Sequence, residues 1–282
     1  LIFTGVAMVL PGILISKLGM VNGVMNTEVG IRKTVILITI LSVLGIYACV
    51  FFLKEKKLTQ NRPKTESLGF MKSISHLKDK EIILYFLGYF FFFCGFNILR
   101  GDLTYYLSAV MQKDIKYLTV ISVVLFGMAG LFFPITNKFG KKYSYKKILI
   151  VDMMLLIIGT FGLLFINKNN SIFAYLLFVI CGTGLSGAAF IFPQAMLSEI
   201  SAKLSETKKV SLEGFMFGIQ GMFLKLAFLV QQVVQSTLLV AGNQNVQNGV
   251  KGATELGVKV TLVVALALFG ISLFFYNLKK ED

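Results

Sequence analysis

Eight stretches of this chain are apolar for almost their whole length: residues 1–16, 34–53, 82–111, 118–136, 148–166, 172–197, 215–240 and 260–278. A hydrocarbon core ~30 Å thick is crossed by about 20 apolar residues in a helix rising ~1.5 Å per residue. Seven of the runs reach or approach that length, and polar, lysine-bearing gaps separate them. Composition agrees: mean hydropathy is +0.77, 56% of residues are hydrophobic and only 15% are charged, too apolar for a soluble domain. The expectation is an all-α polytopic membrane protein with about eight transmembrane helices. The first run is short and starts at Leu1 with neither an initiating Met nor a charged lead-in. It reads as a helix cut in mid-course and not as a signal peptide, so the sequence is expected to be the later part of a longer protein.

The basic residues set a topology. If the longest gap, from Lys54 to Lys80, is cytoplasmic, alternate gaps on that side hold 18 Lys and Arg and the opposite gaps hold 8. The positive-inside bias then places that gap and the C-terminus in the cytoplasm, and the formal charge of +14 is mainly a topology signal. Cations that punctuate membrane spans do not line one soluble face, so nucleic acid is excluded as a partner. Cys49, Cys94 and Cys181 lie inside apolar runs, far apart, with no metal-ligand spacing. The single histidine, His76, sits beside Lys78 and Lys80 with no carboxylate or thiol near it in sequence. That makes neither a triad nor a zinc site, and no phosphate-cradling glycine motif occurs. An enzyme is not expected.

The Lys54–Lys80 gap is long, charged and carries Pro63, with two runs before it and six after. The predicted organisation is residues 1–53 as the last two helices of an N-terminal bundle, 54–80 as a cytoplasmic linker and 81–282 as a six-helix C-terminal bundle. A carrier built from two bundles handles solute at the interface between them. Residues 68–77 are weakly amphipathic and fit either a surface-lying segment or a solvated linker.

One residue points to transport. Lys225 stands near the middle of the apolar run 215–240. A lysine at that depth costs roughly 2.5–3.5 kcal/mol, so such residues usually face a bundle interior or a wet cavity on a solute or ion pathway. A structural ion pair or a snorkelling side chain is the alternative. On the same helical face lie Gly214, Gly218, Gly221 and Gln232; close packing of another helix accounts for the glycines. Gln220, five residues from Lys225, points about 140° away on a regular helix. In the run 82–111, Asn97, Arg100, Thr104 and Ser108 share a helical face by their spacing of 3, 4 and 4. That face reads either as a cavity wall or as a structural polar cluster between helices. Asp102 falls nearly opposite Arg100 and is not expected to pair with it.

The stretch FIFPQAMLSEISAKLSETKKVSLEGFMFGIQGMFLK, residues 190–225, resembles the tenth-to-eleventh helix region of the glycoside-pentoside-hexuronide:cation symporter family, the melibiose permease-like branch of the major facilitator superfamily. Glu199 and Ile200 match the start of that region's acidic run, Glu213 and Gly214 its later Glu-Gly pair, and Gln220 and Lys225 its eleventh helix. Ala202, Lys203 and Ser211 depart from the pattern at a second acidic, a Tyr and an Arg position, which thins the charge network of the cytoplasmic gate. NKFGKK, residues 137–142, resembles the superfamily's basic loop between helices eight and nine, with Asn137 where Asp is usual and Gly140 fit for a tight turn. Leu-Pro-Gly at 10–12 falls where the fifth helix of the family often carries Leu-Pro.

The resemblance implies helices five to twelve of a major facilitator-like bundle, working as a cation-coupled sugar or glycoside symporter by alternating access. It implies Lys225, Gln220 and Phe190 at the substrate cavity, Phe190 as an aromatic able to stack on a sugar ring, with lipid contact or plain packing as the alternative; Arg100, Asn97 and Thr104 join them as cavity candidates on their shared helical face. It implies Glu199, Glu213, Lys141 and Lys142 at the cytoplasmic gate. No cofactor is expected; the coupling cation, Na⁺ or H⁺, has its site in the family's first four helices. Those helices are absent here, so the chain alone is expected not to transport. The implied partners are a small sugar solute and the lipid bilayer, with a monomer in the plasma (inner) membrane when complete. The same fold carrying a lipid, a drug or another solute, or a non-transporting scaffold or sensor, are the alternatives.

Overall fold

A computed structural model describes residues 10, 13–15, 17–21, 24–52, 79–113, 117–208, 212–241 and 252–278. Most of the first apolar run, the Leu-Pro-Gly motif apart from Leu10, the segment 53–78 with Pro63, His76 and residues 68–77, and Ser211 lie outside the described residues. The chain forms two compact units, residues 2–66 and 67–282.

In the first unit, two-residue strands β1 (Met20–Val21) and β2 (Val24–Met25) pair antiparallel with Met20 opposite Met25. Helix α1 (Thr27–Phe52) follows. Its N-terminus is capped by Asn26, whose side-chain oxygen accepts the Val29 N–H at 3.2 Å. Val35, Ile36, Leu44, Ile46, Val50 and Phe51 are exposed along its length, the surface of a helix made for hydrocarbon.

The second unit is a helical bundle. Helix α2 (Lys80–Tyr105) starts at Asp79, whose carboxylate accepts the Glu81 N–H at 3.3 Å, and runs on into one wide π-helical turn, Tyr106–Val110. Then come α3 (Leu118–Tyr143), α4 (Tyr145–Leu163), α5 (Phe173–Ala188), α6 (Phe192–Lys208), α7 (Glu213–Leu238) and α8 (Glu255–Leu278). The packing order is α7 on α2, α2 on α8, α8 on α4, α4 on α5 and α5 on α3. Among the described residues six segments are long and apolar enough to cross a bilayer, and α5 with α6 counts as one of them. The all-helical bundle expected from the apolar runs is what forms, the two-residue β pair aside.

Helix α2 sits at the centre, which explains its phenylalanines. Phe92 packs on Phe269 of α8 (5.8 Å between ring centres), Phe86 stacks on Phe223 of α7 (5.3 Å) and Phe91 on Phe275 (5.7 Å). Lipid tails are as apolar as these rings, so the gain comes from close contact and not from leaving water. Gly95 makes that contact possible: a Cβ there would stand 3.0 Å from the Ala265 carbonyl oxygen and 2.9 Å from the Phe269 ring.

Three expectations need correction. Residues 137–142 are not a loop but the last turns of α3, and the chain reverses at Ser144, with φ 109°. Gly140 serves close packing instead of a turn, its Cβ position lying 2.8 Å from Phe192 and 2.9 Å from Tyr145. The apolar code stops at the membrane edge, while backbone hydrogen bonding carries the helix on into the lysines. The run 172–197 is not one helix either. Pro193 has no N–H to give the Ala189 carbonyl, and α5 and α6 are separate helices on either side of Ala189–Ile191. Lastly, the glycines of α7 do not receive a packed helix: a Cβ at Gly214, Gly218 or Gly221 would meet nothing within 4 Å among the described residues.

Candidate functional site

Helix α7 presents two different polar faces. One is buried and made of Met216, Gln220, Ala227, Gln231 and Gln235, turned into the bundle. The other is exposed and carries Gly214, Gly218, Gly221, Lys225 and Gln232. Gln220 and Lys225 thus do lie on different sides of the helix, as their spacing predicts.

The buried face joins helices through two hydrogen-bonded layers. In the first, near the lysine-rich end, the Gln220 amide donates to the Tyr85 hydroxyl at 2.7 Å, and that hydroxyl donates to the Pro193 carbonyl at 2.7 Å. Three helices, α2, α6 and α7, meet at one phenol. In the second layer, Gln231 donates to the Gln235 side-chain oxygen at 2.7 Å, and Gln235 donates to Asp102 Oδ1 at 2.8 Å and to the Ile98 carbonyl at 3.4 Å. Gly101 lets these amides in, since a Cβ there would stand 2.7 Å from Gln231 Nε2. Asp102 is 1% exposed and its Oδ2 has no hydrogen-bond partner among the described residues.

A third cluster lies between α3, α4 and α5. The Thr136 and Ser186 hydroxyls are 2.8 Å apart, and the buried Asp152 carboxylate lies over Gly187, where a Cβ would collide with it. Gly187 is therefore a packing requirement of that carboxylate.

Of the two cations within the spans, Lys225 stands on the exposed face of α7 and Arg100 on the neighbouring α2. Lys225 Nζ lies 5.9 Å and Arg100 Cζ 5.5 Å from the centre of the same Phe228 ring. Neither forms an ion pair among the described residues; the ion pair described there is Lys259 with Glu255, at 2.7 Å. Arg100 is half-buried on α2, so two helices contribute one charge each to one aromatic platform. Arg100 and Asp102 form no ion pair with each other among the described residues.

The remaining predicted residues scatter. Asn97 is 1% exposed, with its Nδ2 unpartnered among the described residues. Thr104 is half-buried and accepts at its carbonyl from Ser108, which is exposed. The polar stripe is thus no single face: it starts inside the bundle at Asn97 and ends outside at Ser108, because α2 is covered on most sides and the π-turn shifts the register beyond Tyr105. Phe190, between α5 and α6, packs edge-on against Phe96 at 6.4 Å. Glu199, Glu213, Lys141 and Lys142 are all exposed; Glu213 lies in the first turn of α7, Lys141 and Lys142 in the last turn of α3, and Lys142 covers the Tyr143 ring at 5.1 Å. Among the described residues these four form no ion pair with one another.

Sequence reasoning missed Tyr85, Gln231, Gln235 and Asp152 and passed over Asp102. A usable signal existed on α7. Gln220, Gln231 and Gln235 are 11 and 4 apart, which is one helical face, and that face excludes Lys225.

A family model described as MFS/sugar transport protein matches residues 1–280. Comparison with curated proteins gives no match. With six segments long and apolar enough to cross a membrane among the described residues, and a match along nearly its whole length, the chain belongs to the MFS/sugar transport protein family, integral membrane proteins that act as secondary transporters of sugars.

Proposed function

We propose that the protein moves a sugar or glycoside by alternating access, coupled to Na⁺ or H⁺, and that the exposed face of α7 lines the solute path. One observation carries this: an ammonium group about 18 Å from the start of α7, exposed on the face that also carries Gly214, Gly218 and Gly221, with an aromatic ring and no counter-charge among the described residues. Facing hydrocarbon, that charge costs roughly 2.5–3.5 kcal/mol. Facing a wet cavity, it donates to sugar hydroxyls or holds carboxylates contributed across the cavity, and the cost falls away.

Arg100 acts beside Lys225 over Phe228, while Gln220 works from the other side of α7, fixing through Tyr85 the helix that presents them. Asn97, Thr104 and Phe190 line the region behind. Glu199, Glu213, Lys141 and Lys142 crowd the lysine-rich end, where opposite charges on α3, α6 and α7 close a gate in the inward-shut state. The positive-inside bias supports a cytoplasmic position for that end and for the C-terminus, in the plasma (inner) membrane.

The test is Lys225→Ala in the full-length protein, reconstituted in proteoliposomes and read by radiolabelled glycoside counterflow. Counterflow should be lost, with membrane abundance and protection of the buried Cys94 and Cys181 thiols unchanged. Counterflow at the wild-type rate in that variant refutes the assignment.

A further inference from the structure

The positive-inside bias asks only that lysines gather on one side of the membrane; it does not assign them to a helical face. Helix α3 continues to Tyr143, so its last lysines keep register with the apolar turns before them. Leu131, Ile135, Lys138 and Lys142, spaced 4, 3 and 4, share one face, and all four are exposed. The opposite side, with Leu125, Ala129, Thr136 and Gly140, is buried in the bundle. Helix α4 repeats the pattern in reverse. Lys147, Val151, Met154 and Ile158, again 4, 3 and 4 apart, are exposed, while Leu149, Met153 and Leu156 are buried. The two helices pack on each other and join at Ser144. Two exposed apolar stripes therefore end in lysines at the same edge of the bundle.

That edge also carries exposed aromatic rings. Phe139 and Tyr143, both half-exposed, stack with ring centres 6.0 Å apart, and Lys142 lies over the Tyr143 ring at 5.1 Å. Aromatic rings at the end of a span sit at the level of lipid headgroups, which sets the neighbouring lysines at the depth of the phosphates. Along α3 and α4 the acidic residue is Asp152, which is 5% exposed and packed over Gly187 on the bundle side. Lys138 and Lys142 form no ion pair among the described residues. Lys146 turns elsewhere, donating to the Asn277 carbonyl near the end of α8 at 3.2 Å. Lys141 falls about 80° round α3 from Leu131, off the stripe.

We infer that this edge of α3 and α4 is a binding site for an anionic phospholipid, its phosphodiester held by Lys138 and Lys147 and its acyl chains laid along the two stripes. Charge complementarity selects the headgroup. Lysines beside a membrane surface attract lipids of net negative charge, whereas the ammonium of a zwitterionic headgroup cancels that attraction. The stripes select a lipid over a soluble anion, since acyl chains cover apolar side chains that a free phosphate leaves bare. Lys142 shares the face and also stands at the gate, so Lys138 and Lys147 are the residues that define the site. The lipid site holds whichever solute the protein carries.

Residues 1–282 contain no Trp, so a single indole can report the lipid beside it. The test is Leu131→Trp in the full-length protein, any Trp outside these residues replaced by Phe, in vesicles of phosphatidylcholine and phosphatidylglycerol with one or the other brominated in its acyl chains. Leu131 is exposed on the α3 stripe ~10 Å from Lys138 along the axis, at the depth of mid-chain bromine. Leu176→Trp is the reference, exposed on α5, which bears no Lys or Arg. From quenching, phosphatidylglycerol should be preferred about fivefold at Leu131→Trp, the ratio to which the attraction of one lysine to an anionic surface converts, and not at Leu176→Trp. Adding Lys138→Gln with Lys147→Gln should abolish the preference, and Lys138→Arg with Lys147→Arg should keep it. Equal preference at the two indoles, a preference that survives the Gln pair, or one lost in the Arg pair overturns the site. So does its loss on adding millimolar inorganic phosphate at constant ionic strength, which would make the occupant a soluble anion. Protection of the buried Cys94 and Cys181 thiols should be unchanged throughout; a preference that falls only where this protection also falls overturns the site as well.

Discussion

Tyr85 is the residue whose replacement tests the bundle most sharply. It is 0% exposed, donates to the Pro193 carbonyl and accepts from Gln220, itself 4% exposed. Tyr85→Phe removes both hydrogen bonds, each worth about 0.6 and at most about 1.7 kcal/mol between membrane helices. It also leaves the Gln220 amide buried without an acceptor, at about 1–3 kcal/mol. The single variant should therefore lose about 2–4 kcal/mol. Gln220→Leu removes one bond and leaves the phenol its carbonyl partner, so about 1 kcal/mol is expected. In the double variant no amide is orphaned and the shared hydrogen bond is lost only once, so the loss should fall short of the sum of the singles by about 1.5–3.5 kcal/mol. The assay is maleimide labelling of Cys94 and Cys181, both fully buried, in a Cys49→Ser background because Cys49 is exposed. Where labelling follows the population of open molecules, each tenfold rise in rate reports about 1.4 kcal/mol. Single-variant effects that add to within about 0.5 kcal/mol would refute the shared-phenol account.

Two further outcomes follow from the two faces of the α2–α7 pair. Gly101→Val should destabilise by about 1–3 kcal/mol, because the new side chain displaces the Gln231 and Gln235 amides, whereas Gly218→Val, with open space beside it, should stay within about 0.5 kcal/mol of wild type in thiol labelling and instead lower counterflow. Equal stability losses at the two positions would show that both faces are packed. Phe228→Leu takes away the ring shared by Arg100 and Lys225, a contact worth about 0.5–1 kcal/mol for each cation. The expected result is a raised KM for counterflow with unchanged thiol protection, and an unchanged KM would remove the ring from the solute path.

The helices were legible because hydrocarbon imposes a length and a polarity on any segment that crosses it. The run 118–136 becomes α3 from Leu118, and 260–278 becomes α8 ending at Leu278. What lies beyond the apolar limits was not legible, because hydrogen bonding and not hydropathy decides where a helix stops. Residues 137–142 therefore read as a loop and fold as helix, and the reversal falls on Ser144, which no turn-forming glycine or proline marks. The break before Phe192 was legible in principle: Pro193 forbids the hydrogen bond that a continuous helix needs, but apolarity ran across it unbroken.

The site divides in the same way. A sequence displays what a polar residue in an apolar run costs, and on that scale Lys225 stands out above Gln235 and equals Asp102. It does not display what offsets the cost, which always sits on another helix. For Gln235 the offset is Asp102, 133 residues away in the chain; for Gln220 it is Tyr85, 135 residues away. Both pairings need α2 and α7 side by side, and Gly101 is the one local hint, a missing side chain where two amides must enter. Lys225 has no such partner among the described residues, and that difference sets it apart from the polar groups that build the bundle. The residues to weigh in a chain of this kind are the costly ones left over once the helices have satisfied each other.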